Sequence, residues 1–163
     1  MNAGEWIEKL GLIPHPEGGA FKEVYRSTLK DDFLLSNGQK AKRSLSTAIY
    51  YLLREGEFSV FHRIQSDEIW HHYDGGDLLI HCLHPLRGME TIRLGKTHPD
   101  ALPQFCVNAG IWFASTPDEG AGFVLAGCTV APGFDFDDFE IAKREDLLLE
   151  FPLNREEIVS LTL

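Results

Sequence analysis

The stretch SVFHRIQSDEIWHHYDGG, Ser59 to Gly76, concentrates the side chains best suited to chemistry. Three of the chain's seven histidines fall in it, together with Asp67, Glu68 and Trp70. Imidazoles and a carboxylate in a half-apolar cavity have shifted pKa values, which suits proton transfer. The same residue types also ligate metals. Strand residues alternate faces, so Phe58, Val60, His62 and Ile64 share one face of the first segment. Glu68, Trp70 and His72 share a face of the next. In DLLIHCL, Leu79, His81 and Leu83 lie together. If these strands pair as a meander, His62, Glu68, His72 and His81 converge on one cavity, with Trp70 as an apolar wall. The alternatives are residues on a solvated face, or core histidines satisfied by backbone carbonyls. Small-barrel interiors are normally filled with apolar side chains, so His62, Glu68 and His72 facing inward together would call for a function. His15, His84 and His98 sit beside prolines or in loops and are expected at the surface. His71 is expected to face away from the other three.

The elements that must position these residues are mostly strands. Asn2 can cap a short helix over Ala3 to Leu10, closed by Gly11. The loop HPEGG, His15 to Gly19, follows. FKEVYRS alternates, and Asn37-Gly38 is a hairpin turn signal. STAIYYLL reads as a buried strand, and further short strand-like segments run on to GFVLAGCTV, each bounded by Gly, Pro, Asp or Asn. Many short strands at close spacing indicate an all-β sandwich or barrel. Only KREDLLLEF and NREEIVSL look helical, with Asn154 as a cap for the second. No repeat or linker divides the chain, and residues 1–163 are expected to form one domain.

Composition narrows the function classes. A chain of 163 residues can bury a real core, and its hydrophobic fraction of 44% is that of a globular protein. The net charge of −10 argues against sequence-independent binding to nucleic acid or to an anionic membrane. No apolar run has the length of a membrane span, and the first residues lack a basic-then-apolar leader pattern. A cytoplasmic location is expected. Cys82, Cys106 and Cys128 are widely spaced in apolar stretches and read as reduced, buried small hydrophobes.

Two spaced motifs carry a resemblance. The first cupin motif, G-x5-H-x-H-x3-E-x6-G, matches Gly56, His62, Ile64, Glu68 and Gly75 in every spacing, with isoleucine in place of one histidine. The second, G-x5-P-x-G-x2-H-x3-N, falls on Leu102, Asn108, Gly110, Phe113 and Pro117, where only Gly110 keeps the motif residue. Over most of its length the chain resembles a cupin-like family, cupin 5. The segments that carry this are PEGGAFKEVYRS, STAIYYLL, FSVFHRIQSDEIWHHYDGG, AGIWFAS and GCTVAPGFDFDDFE. The resemblance implies a cupin-type double-stranded β-helix (a jelly-roll barrel) with short N- and C-terminal helices, similar to sugar-nucleotide epimerases and seed storage proteins, and a homodimer.

Metal cupins use about three His and one Glu. Ile64 and Phe113 occupy two of those positions and cannot ligate, so no metal or other cofactor is expected. His62, Glu68 and His72 would be the fallback set for a divalent ion. The expected activity is that of a small-molecule-binding cupin, a metal-independent isomerase, epimerase or lyase acting on a sugar- or nucleotide-like polar ligand. His62 would be the general base, Glu68 its orienting or protonating partner, and His72 the opposing acid. Trp70 would stack on the ligand. His81, Arg26, Phe113 and Asp135 are further candidate ligand contacts. Asp135 or Asp137 would stand at the barrel mouth, unless the phenylalanines around them merely anchor a solvated loop. Arg26, downstream of the Glu17-Gly18-Gly19 turn, would meet an anionic group or form a rim salt bridge. A non-catalytic binding or storage protein and a metal-dependent oxygenase are the competing classes.

Overall fold

A computed structural model describes residues 1–163. Helix α1 spans Ala3–Leu10. The Asn2 side chain accepts from the Glu5 N–H, the Glu5 carboxylate accepts from the Asn2 N–H, and Gly11 closes the helix. Thirteen strands follow: β1 (Ile13–Pro14), β2 (Ala20–Arg26), β3 (Lys30–Leu34), β4 (Lys40–Ser44), β5 (Thr47–Arg54), β6 (Ser59–Arg63), β7 (Asp67–Gly75), β8 (Leu78–His84), β9 (Gly88–Leu94), β10 (Gln104–Val107), β11 (Trp112–Pro117), β12 (Phe123–Ala131) and β13 (Glu140–Ile141). The C-terminal helices are α2 (Arg144–Glu150) and α3 (Arg155–Ser160). Asn154 precedes α3 as expected, but its side chain makes no capping bond.

Two antiparallel sheets face each other. One runs β1-β2-β5-β12-β7-β10, the other β13-β6-β11-β8-β9, and β3-β4 is a separate hairpin around Asn37-Gly38. The expected meander of β6, β7 and β8 is therefore wrong. β6 and β7 follow each other in sequence but belong to opposite sheets, and β8 pairs with β11 and β9. His62 and Glu68 come from opposite walls of the barrel rather than from neighbouring strands.

The core has three parts. Between the sheets pack Tyr51, Leu53 and Trp70 from the first and Leu78, Ile80 and Phe113 from the second. On the outside of the second sheet, Phe61, Leu83 and Trp112 meet Leu147, Phe151 and Ile158 of the C-terminal helical segment. On the outside of the first, Leu52 and Leu125 meet Leu12 and the apolar stripe of α1. Helices thus shield both outer faces. The layer between the sheets is filled in one half and open in the other.

Candidate functional site

The open half is a cavity of about 280 Å³. Its polar floor begins with a residue carried by a turn. Between β1 and β2 the chain bends through His15–Gly19, closed by His15 N–H to Gly19 O at 3.0 Å and Gly18 N–H to His15 O at 3.0 Å. This turn presses into the barrel wall. The Val60 N–H donates to Glu17 O at 2.9 Å. A β-carbon on Gly18 would lie 2.1 Å from Phe58 O, and one on Gly19 2.7 Å from Leu52 O. Both glycines also have positive φ, 114° and 75°, so no other residue fits at either position without strain. The Gly-Gly pair is what lets Glu17 turn inward, where only 7% of it is exposed.

His62 meets Glu17 there. Nε2 lies 2.9 Å from the Glu17 carboxylate, and Nδ1 lies 2.7 Å from Val60 O. A carbonyl only accepts, so Nδ1 carries a proton. A single further proton is then shared between Nε2 and the carboxylate. Burial disfavours the charged imidazole, but the Glu17 charge and hydrogen bond outweigh it and raise the His62 pKa. Burial would also raise Glu17. The charge and hydrogen bond of His62, helped by His15 and Ser59, instead hold it below the usual carboxylate range. His15 sits behind, its Nδ1 accepting from the Glu17 N–H at 3.1 Å, and burial depresses its pKa. It was expected at the surface, yet its side chain is only 7% exposed.

Glu68 faces the same cavity from β7 with no cationic partner in hydrogen-bond reach. Burial, then the Glu17 charge, push its pKa up to about 7. The Cys128 thiol lies against it and is itself driven well above its ordinary value by burial and by both carboxylates. The partner of His62 is thus Glu17, not Glu68 as expected. Two buried carboxylates face one cavity, one held ionised and the other with its pKa raised to about 7.

Tyr51 closes the floor, its hydroxyl donating to Gly18 O at 2.6 Å. Ser59 Oγ is buried beside Glu17 and the Tyr51 hydroxyl without a well-formed hydrogen bond. Alternation put Val60 on the His62 face. A β-bulge pairs His62 with Phe113 and Ser59 with Ser115, and so brings Ser59 to that face.

The other expected site residues separate. Trp70 is 1% exposed and packs edge-on behind Tyr51, at 5.6 Å, in the apolar core. It does not line the cavity. His72 lies beyond that plug, about 13 Å along β7 from Glu68, with Nε2 bonded to Gly76 O at 2.9 Å. His81 points outward, since Leu78, Ile80 and Cys82 are the inward residues of β8, and it is pinned between the Thr91 and Thr116 hydroxyls at 3.1 and 3.0 Å. Phe113 backs the His62 ring at 4.2 Å. Arg26 stands at the mouth, paired with Glu23. Asp135 accepts from the Asp137 N–H and lies 3.9 Å from Arg43, while Phe134, Phe136 and Phe139 of the same loop form a cavity wall. His71 stacks on Tyr73, away from the cavity. Of the cysteines, Cys106 is exposed, against expectation.

A two-sheet barrel with an inward-facing polar cavity between its sheets and helices on its outer faces is the cupin class of β-barrel. The chain matches the Cupin 5 family, described as Cupin superfamily (DUF985), over residues 4–142, and it belongs to that family. It is 32% identical over 149 residues to the uncharacterized protein YML079W of Saccharomyces cerevisiae, a match covering 84% of this chain and 73% of that one. A solved structure from Shewanella oneidensis is 38% identical with a TM-score of 0.89, covering 100% of this chain and 98% of that one. A hypothetical protein from Leishmania major is 32% identical with a TM-score of 0.90, covering 99% of each chain.

The donor set does not fit the metal site of metal cupins. Of its four positions, Ile64 and Phe113 are apolar, and both nitrogens of His62 are engaged by Val60 O and Glu17. No three His, Cys, Asp or Glu side chains gather at ligating distances. No helix is long and apolar enough to cross a membrane.

Proposed function

We propose that the chain is a small-molecule-binding cupin that performs general acid–base catalysis with protein groups alone, as an isomerase, epimerase or lyase. The observation that carries this is the pair of inward carboxylates whose environments push their pKa values apart, Glu17 down beside His62 and Glu68 up to about 7. Paired groups tuned in opposite directions are how one site supplies both a base and an acid at neutral pH. The Glu17–His62 pair accepts a proton from a carbon acid. The Glu68 carboxyl, on the opposing wall, donates one to the oxygen that gains charge. Glu17 is positioned by the docking of its turn on Val60, and His62 by Val60 O, rather than by the ligand.

A second reading is a binding protein without turnover. It is favoured by the internal satisfaction of His62 and Tyr51, whose polar atoms already have partners. Incubation of the protein with a panel of sugar- and nucleotide-type carbonyl compounds in D2O separates the two. Catalysis predicts deuterium at carbon for at least one compound, lost in Glu17→Gln. Ligands that bind without any exchange would establish the second reading instead.

The chain is further proposed to act as a homodimer in the cytoplasm. β1 covers β2 only at Ala20 and Phe21, which leaves the rest of that edge open. Val24, Tyr25, Leu29 and Leu34 are exposed nearby. Open edges and apolar patches are normally covered, and a second copy would do so. Sedimentation that stays monomeric across micromolar concentrations would refute it. The three free thiols are consistent with a reducing compartment.

A further inference from the structure

A second concavity of about 190 Å³ adjoins the cavity mouth, and its character is opposite. It is lined by Arg26, Lys30, Lys42, Arg43, Ser44 and Asp135, with no apolar residue. Four of the chain's fifteen Lys and Arg residues face one small groove, against a single carboxylate, in a protein of net charge −10. Arg26 lines both spaces and joins them.

These cations are not equally engaged. Arg43 is fixed by two bonds to the buried Asp138, at 2.8 and 2.7 Å, and forms a rigid wall. Arg26 pairs with Glu23 on the exposed rim, and Lys42 reaches Asp32 only at 3.8 Å with both side chains mostly exposed. Such surface pairs contribute little and exchange readily for a better anion. Lys30 stands opposite Ser44 across the hairpin and takes part in no ion pair. The groove thus offers one fixed guanidinium, three movable cations and a hydroxyl. Asp138 already neutralises Arg43, which leaves Arg26, Lys30 and Lys42 to turn toward an incoming anion, more than one carboxylate can engage. A phosphoryl dianion matches them, and planar guanidinium groups suit its oxygens.

We infer that this groove is a phosphoryl subsite of the cavity, so that the ligand is an organic phosphate. Its ring or sugar would lie against Phe134, Phe136 and Phe139, and its phosphate on Arg26, Lys30 and Lys42. This assignment of ligand class rests on the catalytic cavity proposed above. The groove is too small and too isolated in an acidic chain to bind a nucleic-acid backbone, which needs an extended track of cations.

Phenyl phosphate carries both parts of such a ligand, and inorganic phosphate and phenol are its halves. Calorimetric titration at low salt should show phenyl phosphate binding at least tenfold tighter than either half, and weakening as salt rises from 50 to 200 mM. The double variant Lys30→Glu/Lys42→Glu changes only exposed hairpin residues, so its melting temperature should match the wild type while its affinity for phenyl phosphate falls at least tenfold. Equal binding of phenol and phenyl phosphate, or an unchanged affinity in the Lys30/Lys42 variant, would overturn the subsite. If phenyl phosphate behaves as expected and no panel compound exchanges deuterium, the subsite stands and the catalytic reading falls. If exchange occurs on compounds whose binding ignores the Lys30/Lys42 variant, the catalytic reading stands and the subsite falls.

Discussion

The two halves of the barrel interior use the same strands for opposite ends. β7 contributes Glu68 to the open half and Trp70, two residues on, to the packed half. β5 contributes Thr47 and Ile49 to the cavity and Leu53 to the core, with Tyr51 as the boundary between them. In the packed half, Trp70, Leu78, Ile80 and Leu94 are at most 1% exposed and, the Trp70 indole N–H apart, bury only apolar surface. In the open half, Glu17, His62 and Glu68 are nearly as buried, but each is an ionisable group whose removal from water is costly. One half therefore accounts for stability, and the other is maintained against it. The difference is imposed by what enters from outside the strands. The packed half is closed by its own side chains, whereas the open half receives the His15–Gly19 turn, which delivers a carboxylate.

The largest effect should come from the packed half. Trp70→Ala removes a fully buried indole, and truncations of this kind cost about 3–5 kcal/mol. Trp70 Nε1 is buried without a partner, so Trp70→Phe, which removes that donor and keeps most of the ring, should cost only about 1 kcal/mol. Urea denaturation measures both. A small loss in Trp70→Ala would mean that the interior is not divided as described.

The open half should respond through its coupling. His62→Ala leaves the Glu17 carboxylate buried beside no cation, a change that costs roughly 3 kcal/mol where a partner of a buried pair is removed. Adding Glu17→Gln should recover part of the loss, because the stranded charge goes with it. A double-mutant cycle in which the two losses simply add would show that the pair is not coupled.

Glu68 gives the pH dependence, and its sign is opposite to that of an ordinary salt-bridged carboxylate. Its pKa is about 7 in the folded chain against 4.5 unfolded. Between those values the folded state holds the proton that the unfolded state has lost, so stability falls as pH rises from about 4.5 to 7 and is flat beyond. At 1.36 kcal/mol per unit, the full loss is about 3 kcal/mol. His62, with a raised pKa, adds a loss as pH rises through its folded value. Glu17, with a lowered one, contributes stability that disappears only as pH falls through its folded value. Glu68→Gln should melt like the wild type near pH 5 and be more stable at pH 8, by up to about 3 kcal/mol in urea titrations. Equal pH profiles for the two proteins would show that Glu68 is ionised at neutral pH.

Much of the fold was legible locally. The α1 cap, the Asn37-Gly38 hairpin and the C-terminal helices are written in adjacent residues, and the spacing of Gly56, His62, Glu68 and Gly75 picked out two of the three central groups. What could not be read was non-local. Glu17 belongs to a turn whose entry into the barrel depends on how it docks against Phe58–Val60. Its one visible signal was the Gly-Gly pair beside it, which marks a place where backbones approach closely. Alternation puts Ser59 on the face opposite His62, and a bulge, which shifts face parity without a sequence mark, brings it to the His62 face instead. His81 was misplaced because alternation defines two faces and does not say which is inward.

The smallest effect should come from His72, and it tests where the boundary between the halves lies. Alternation places Glu68, Trp70 and His72 on one face of β7, and a site built on that face would need all three. The structure puts Trp70 between the two ionisable residues as a plug, so His72 and Glu68 share a face without sharing a space. His72 is half-buried and makes one hydrogen bond, to Gly76 O at 2.9 Å. Losing such a bond costs about 1 kcal/mol. His72→Gln can restore much of it, since its amide N–H also donates. The variant should therefore lose no more than about 1 kcal/mol in urea, and the NMR titrations of His62 and Glu68 should coincide with those of the wild type. A shift in either titration would mean that charge at position 72 is felt across Trp70. The two halves would then be one electrostatic unit, and His72 would return as the acid opposite His62.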